Sequence, residues 1–173
     1  MARNIEIKAR IASIDALRQL ASTIADGAPV DILQDDTFFN CALGRLKLRA
    51  FVDGTAQLVF YRRADTQGPK ESFYEIAPVH APEALRKTLT LAYGSAGRVK
   101  KQRSLLMVGR TRIHLDRVEG LGDFMELEVV LDEQESAEDG VREAHRIMAA
   151  LGIQATQLVE GAYLDLLAIK SGL

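Results

Sequence analysis

The 173-residue chain has one cysteine, Cys41, and no tryptophan. A lone thiol excludes an intramolecular disulfide and a cysteine-built zinc cluster, and it fits a reducing compartment. An excess of one charge sign is also missing: 22 Lys and Arg stand against 24 Asp and Glu, a formal net charge of −2. No global field therefore draws the chain to a nucleic-acid duplex or an anionic membrane, and any phosphate chemistry has to come from local clusters. No apolar run approaches the roughly 18–20 residues of a membrane span. Charged Arg3, Glu6 and Lys8 stand where a secretory signal would place its apolar segment. The expected location is cytoplasmic. No internal repeat, low-complexity tract or long linker divides the chain, and 47% hydrophobic residues suffice for one core, so residues 1–173 read as a single domain.

What is present is period-two alternation. Ile5, Ile7, Ala9 and Ile11 alternate with Asn4, Glu6, Lys8 and Arg10, which predicts a strand with one charged face. Ser13 then caps a helix whose apolar spacing runs through Ile14, Leu17, Leu20, Ala21 and Ile24 to a stop at Gly27. Further strands are expected over 35–39, 45–51, 57–63, 71–76, 99–108, 111–117 and 124–131, with a hairpin at Asp53-Gly54 and a loop over 65–70. Helices are expected over 81–93, 137–151 and 160–169. About eight strands in hairpin-connected sets, with helices between and after them, predict an α+β fold built on a large antiparallel sheet or a closed barrel.

The polar faces of these strands carry charge sorted by strand. Glu6 and Lys8 share one face; Arg45, Lys47 and Arg49 share another; Arg63, Lys101 and Arg103 follow. Arg112, His114 and Asp116 lie on one face of the next strand, and Glu126 and Glu128 on one face of the last. A solvated sheet face would account for any one strand taken singly. Taken together, neighbouring like charges are destabilising unless something neutralises them. A bound polyanion would do so for the Lys and Arg side chains, and cations for Glu6, Asp116, Glu126 and Glu128. If the sheet closes, these faces line its interior as a hydrated, ion-binding tunnel, because a dry charged lumen would carry a large desolvation cost. Other features are weak. Gly120-Leu-Gly122 reads as a turn, Cys41 as a buried free thiol, and His80 and His145 as surface or capping residues.

Asn4-Ile-Glu-Ile-Lys8 resembles the Glu-x-Glu-x-Lys signature near the start of CYTH proteins, the triphosphate tunnel metalloenzymes that include class IV adenylyl cyclases and thiamine triphosphatases. Gly44-Arg-Leu-Lys-Leu-Arg49, Tyr61-Arg-Arg63 and Val99-Lys-Lys-Gln-Arg103 resemble the basic strands of that family, and the run from Ile113 to Glu128 its acidic C-terminal signature. Ala162-Tyr-Leu-Asp-Leu-Leu167 completes the order. The resemblance implies an eight-stranded antiparallel β-barrel with flanking helices, forming a tunnel for a triphosphate and requiring Mg²⁺ or Mn²⁺. By the same resemblance Lys8, Lys47, Arg49, Arg63, Arg103 and, less directly, Lys101 hold phosphate oxygens. Glu6, Glu126 and Glu128 hold metal, with Asp116 near them, and Lys8, Arg63 and Asp116 are the catalytic candidates. Two positions depart from the pattern: Asn4 stands where a first Glu is usual and His114 where many members have another acid. A neutral oxygen at Asn4 predicts a weaker metal site.

Three functions follow from this reading. The first is metal-dependent hydrolysis of a triphosphate, whether inorganic tripolyphosphate, a nucleoside triphosphate or thiamine triphosphate. The second is class IV cyclase chemistry, in which ATP yields cyclic AMP and pyrophosphate; it needs an adenine pocket, for which Tyr61, Phe73 and Tyr74 are no better than core aromatics. The third is a polyphosphate- or nucleotide-binding module without turnover, which Asn4 keeps open. Hydrolysis requires the fewest parts. The expected partner is a small-molecule triphosphate, with neither a nucleic-acid duplex nor a membrane, and a homodimer is compatible with the reading.

Overall fold

The N-terminal alternation forms strand β1, Ala2–Arg10, and its apolar face packs outward rather than inward. The computed structural model describes residues 2–172. Along the chain follow α1 (Ile14–Ser22), β2 (Val30–Phe39), β3 (Arg45–Phe51), β4 (Ala56–Arg63), β5 (Lys70–Val79), α2 (Pro82–Tyr93), β6 (Ser95–Val108), β7 (Thr111–Val118) and β8 (Gly122–Leu131). Helices α3 (Ala137–Ala150) and α4 (Tyr163–Lys170) close the order, with a short 3-10 turn at Ala155–Gln157 between them. The strands form one closed antiparallel barrel in the order β1-β5-β4-β3-β2-β6-β7-β8. Of the two arrangements open to the residue pattern alone, the sheet adopts the closed one.

The apolar core lies outside the barrel. Ile5, Ile7 and Ala9 of β1, Leu106 of β6, Ile113 and Leu115 of β7, and Met125, Leu127 and Val129 of β8 are buried beneath α1 and α3. Those helices contribute Ile14, Leu17 and Ala21, and Ala144 and Ile147. Gly140 permits this close seat: a Cβ there would stand 2.6 Å from Ile5 Cγ1 and 2.7 Å from Leu131 Cδ2. Helix α2 covers a second outer face, where Leu85 and Leu89 pack on Phe39, Leu48 and Ala56. Burial of these side chains drives folding, since each fully buried aliphatic side chain contributes about 1.5–3 kcal/mol. Alternation then forces the opposite face of each strand into the lumen.

Element ends differ from expectation for identifiable reasons. Helix α1 ends at Ser22, well before Gly27, because Asp26 is drawn to the β6–β7 turn: its N–H donates to the Met107 carbonyl and its carboxylate accepts from Gly109 N–H. Strand β2 begins at Val30 because Val30–Gln34 pairs fully with β6, and β5 extends to Val79 along β4. Cys41 is free and half-buried, not buried, while His80 and His145 are exposed as expected.

Candidate active site: a charged tunnel closed at one end

Strand register places the charged faces around one lumen. Across the β1–β8 seam Glu6 stands opposite Glu128 and Lys8 opposite Glu126; His114 faces Glu126 and Arg112 faces Glu128 across β7–β8. Asp36 stands opposite Arg49 across β2–β3, and Arg103 opposite Asp116 across β6–β7. The resulting cavity holds about 380 Å³, within the range of small-ligand sites. Among the described residues seven cationic side chains line it, Lys8, Lys47, Arg49, Arg63, Lys101, Arg103 and Arg112, against the carboxylates of Glu6, Asp36, Glu126 and Glu128. Every phosphate-contact candidate named from the sequence is therefore in the lumen.

One end is plugged. Phe38, Val99, Val118 and Phe124 point inward there and pack against Tyr163 and the apolar residues of α4. Tyr163 meets Phe124 edge-on at a centroid distance of 5.1 Å, and the ammonium groups of Lys8 and Lys101 lie 4.1 and 5.0 Å from its ring centre. The Gly161 carbonyl accepts from Lys8 Nζ at 2.8 Å and from Arg63 at 3.0 Å. Gly161 has φ +76°, a conformation that suits glycine and aims this carbonyl into the lumen. Arg45, although on the basic strand, turns away to pair with Asp65 and with Asp165 of α4, so it anchors the plug. The other end opens among Phe51, Gln57, Tyr74 and Ile76.

Each carboxylate already has cationic partners. Arg103 grips Asp116 through two contacts of 2.6 Å and reaches Glu126 at 2.7 Å; Lys101 lies 3.3 Å and the Tyr163 hydroxyl 2.9 Å from Asp116. Asp36 accepts from Lys47 and Arg49 at 2.8 Å, Glu126 lies 3.3 Å from Lys8, and Glu6 pairs with Arg63. Burial opposes the charge of Asp36 and of Asp116, yet Arg49 with Lys47, and Arg103 with Lys101, outweigh it and hold both carboxyls far below the usual range. Burial lowers Lys8 to about 8 despite Glu126, and Lys47 to about 7 despite Asp36, with Arg49 adding to the second shift. Burial, reinforced by Arg103, lowers His114 to about 4, so its imidazole is neutral at physiological pH.

The metal candidates separate into groups. Among the described residues, ligand atoms of His114, Glu126 and Glu128 lie within 4.8 Å of one another. Glu6 faces the same lumen but is taken by Arg63, and Asp116, fully buried behind Arg103, stands outside this group. Among the described residues Asn4 Oδ1 and His114 Nδ1 are buried without a hydrogen-bond partner, as are Gln34 Oε1 and Ser72 Oγ, and all four residues line the cavity. Two carboxylates, a neutral imidazole and unpaired neutral oxygens fit a divalent cation, which satisfies buried acceptors that protein donors leave unmet.

Sequence reasoning missed Asp36, Gln34, Ser72, Tyr163 and the Gly161 carbonyl. Asp36 shares the parity of Gln34 and Phe38, but its role shows only once β2 is paired with the basic strand β3.

A closed antiparallel barrel with its apolar residues outside and its ion pairs inside defines a charged-tunnel barrel. The chain belongs to the CYTH family, whose domain model matches residues 2–163; that family is metal-dependent in general. It is 26% identical over 163 residues to adenylate cyclase CyaB from Aeromonas hydrophila, covering 92% of this chain and 85% of that protein. The PH1012 protein from Pyrococcus horikoshii OT3 has the same fold, with a TM-score of 0.82 at 22% identity over 94% of this chain and 98% of its own. HpAC1 from Hippeastrum superposes with a TM-score of 0.63 at 18% identity, over 98% and 96% of the two chains.

Proposed function

We propose that this chain, residues 1–173 acting as one domain, is a metal-dependent phosphohydrolase that takes a triphosphate into the tunnel and releases phosphate from its end. The observation that carries the reading is the surplus of buried cations over carboxylates around a cavity of about 380 Å³. Such a surplus is costly unless an anion occupies the space. Lys8, Lys47, Arg49, Arg63, Lys101 and Arg103 would hold phosphate oxygens, with guanidinium forks matching their geometry. Arg112, beside Glu128, is positioned to join them.

Glu126 and Glu128 would hold Mg²⁺ or Mn²⁺, with Glu6 beside Glu128 on the neighbouring strand, and the bound cation would supply charge neutralisation and an acidified water. The residues themselves do the rest. The ion pairs of the lumen can exchange partners: an entering polyanion takes the cations from Glu6, Asp36 and Glu126, and carboxylates so released are free to face a cation. Asp116, enclosed by Arg103, Lys101 and Tyr163, stays a positioning group that fixes the Arg103 fork. Lys8 and Arg63, both tethered to the Gly161 carbonyl, stabilise charge that develops at the plugged end. Water adds to phosphorus as the bridging P–O bond breaks, leaving a diphosphate and phosphate.

Similarity to adenylate cyclase CyaB favours one second reading, conversion of ATP to cyclic AMP with release of pyrophosphate; HpAC1, of like fold, is described as having a dominant triphosphatase activity. Incubating the protein with tripolyphosphate, ATP or thiamine triphosphate and Mg²⁺ or Mn²⁺, then resolving the products, separates the two. Phosphate release supports hydrolysis, cyclic AMP supports the cyclase, and binding without product identifies a module that only sequesters its ligand. EDTA should abolish turnover; full activity in metal-free buffer would overturn the metal requirement. No helix among the described residues is long and apolar enough to cross a membrane, which is compatible with the proposed cytoplasmic location. A homodimer remains part of the proposal, testable by sedimentation.

A further inference from the structure

We infer that the tunnel of this chain is a mixed nitrogen–oxygen metal site, with His114 as a direct ligand beside Glu126 and Glu128, and that it selects a first-row transition cation over Mg²⁺. The inference rests on the reading of the tunnel as a metal-dependent phosphate site and specifies which ion that site prefers.

Three observations carry it. His114 is only 4% exposed, and its Nδ1 is buried without a partner among the described residues. A structural histidine in such a place ordinarily spends its nitrogens on hydrogen bonds. Here the nearest carboxylate oxygen, Glu128 Oε1, is 3.6 Å from Nδ1, beyond hydrogen-bond length, while ligand atoms of His114, Glu126 and Glu128 fall within 4.8 Å of one another. Donor atoms this close together can all reach one ion placed between them, since its bonds to carboxylate oxygen and imidazole nitrogen run to about 2.0–2.2 Å. The third observation is Asn4, 2% exposed, whose Oδ1 is likewise unpaired and lines the same cavity. An amide oxygen at this place brings no negative charge to the site.

The donor chemistry then decides the ion. Mg²⁺ is hard, takes oxygen ligands and depends on carboxylate charge, so replacing one carboxylate by an amide and adding an imidazole weakens its case twice. Imidazole nitrogen favours first-row transition ions, whose affinity for mixed nitrogen and oxygen sites rises from Mn²⁺ towards Cu²⁺. Arg103 and Arg112 lie against Glu126 and Glu128 and temper the local negative charge further, which costs a charge-dependent ion more than one held by a covalent-leaning nitrogen bond.

The test uses the full chain without triphosphate. Co²⁺ is titrated while its visible absorption is followed, Mg²⁺ is added in competition, and the Mn²⁺-loaded protein is examined by pulsed electron paramagnetic resonance for nitrogen coupling. Wild type should bind Co²⁺ with a visible band that equimolar Mg²⁺ does not remove, and Mn²⁺ should show an imidazole nitrogen. His114→Asp should lose the nitrogen coupling, weaken Co²⁺ by at least about tenfold, the lower end of what even an outer-sphere ligand partner is worth, and allow Mg²⁺ to compete. His114→Gln, closer in shape and uncharged, should show the same loss and guards against a folding defect in the aspartate variant. Unchanged Co²⁺ affinity in folded variants, no nitrogen coupling in wild type, or equal displacement by Mg²⁺ would each overturn the inference while leaving a metal site in place. If neither ion binds although tripolyphosphate still does, the metal-dependent reading falls with it.

Discussion

Removing Arg103 should injure the fold as well as the reaction, because this side chain has two tasks. It grips Asp116 at 2.6 Å through two nitrogens and reaches Glu126 at 2.7 Å, with 5% of its own side chain and none of that of Asp116 exposed. Deleting one partner of a buried ion pair costs about 3–5 kcal/mol, since the other charge is left without compensation. Asp116 would keep Lys101 at 3.3 Å and the Tyr163 hydroxyl at 2.9 Å. Lys101 would also be relieved of repulsion from Arg103. Arg103→Ala therefore belongs at about 3 kcal/mol, the lower end, or roughly 6–12 °C in melting temperature at ~2–4 °C per kcal/mol for a domain of this size. The pair also sets a pH signature. The Asp116 carboxyl is depressed in the folded state, so its contribution is complete above the unfolded value of about 3.9 and is lost as pH falls below it. Without Arg103 the folded-state carboxyl rises toward its unfolded value, so the acid loss should still begin at about pH 4 but be smaller and end at a higher pH. Circular-dichroism melts from pH 3 to 8 measure both effects. The loss of one charge-assisted phosphate contact, roughly 1.5–3 kcal/mol, should lower kcat/KM by about one to two decades. A melting temperature equal to wild type at neutral pH would refute the reasoning, as would an unchanged acid limb.

Three further outcomes follow from the same lumen. Triphosphate affinity should fall as pH rises above about 7 and again above about 8, because Lys47 and Lys8 lose their protons there and the bound anion must restore them; calorimetry in buffers of different ionisation enthalpy should find proton uptake above neutrality and little below pH 6. Glu128→Gln removes a carboxylate that faces Glu6 across the β1–β8 seam and whose cationic partner, Arg112, keeps 35% of its side chain in water, so stability should change by less than about 1 kcal/mol while metal affinity drops at least about tenfold; a metal titration matching wild type would place Glu128 outside the ion site. Tyr163→Phe withdraws the hydroxyl that donates to Asp116 and should cost about 1 kcal/mol, the low end for a weakened buried acceptor; denaturant melts showing no loss would mean that Arg103 and Lys101 satisfy Asp116 alone.

The charged faces were legible in the residue pattern because alternation is a local property. Asn4, Glu6 and Lys8 had to share a face once Ile5 and Ile7 shared the other, and the same holds for Lys47 with Arg49, Lys101 with Arg103, and Glu126 with Glu128. What alternation alone leaves open is which side of the sheet is inside. Helices α1 and α3 decide that by covering Ile5, Ile7, Leu115 and Leu127 from without. The partners of each charge were illegible for the same reason. Asp36 and Arg49 are 13 residues apart, Asp116 and Tyr163 are 47 apart, and Lys8 and the Gly161 carbonyl are 153 apart. Asp116 stood on the correct face, yet only the register opposite Arg103 shows that its oxygens are already taken. The residue pattern predicts only the second half of β2, because Ile32 and Gln34 line the cavity while Leu33 is half exposed outside. That mixture blurs the polarity contrast on which the pattern depends.

The division between shell and lumen also assigns stability and function to different residues. The shell gains from burial in the ordinary way, and it is packed closely enough at Gly140 to leave no room for an added methyl group. The lumen gains little, because the cost of desolvating each ion pair offsets most of its attraction. Its pairs persist because removing either member alone is worse than keeping both. Such a lumen is poised for exchange: a polyanion can replace the carboxylates around Lys47, Arg49 and Arg63 at small net cost, since the cations are already dehydrated and held in place. Preorganisation of this kind spends the desolvation at folding rather than at binding. It follows that replacing Asp36 together with both its cationic partners, Lys47 and Arg49, by neutral residues of similar size should leave the barrel about as stable as before while weakening its grip on phosphate; a large fall in melting temperature would refute this.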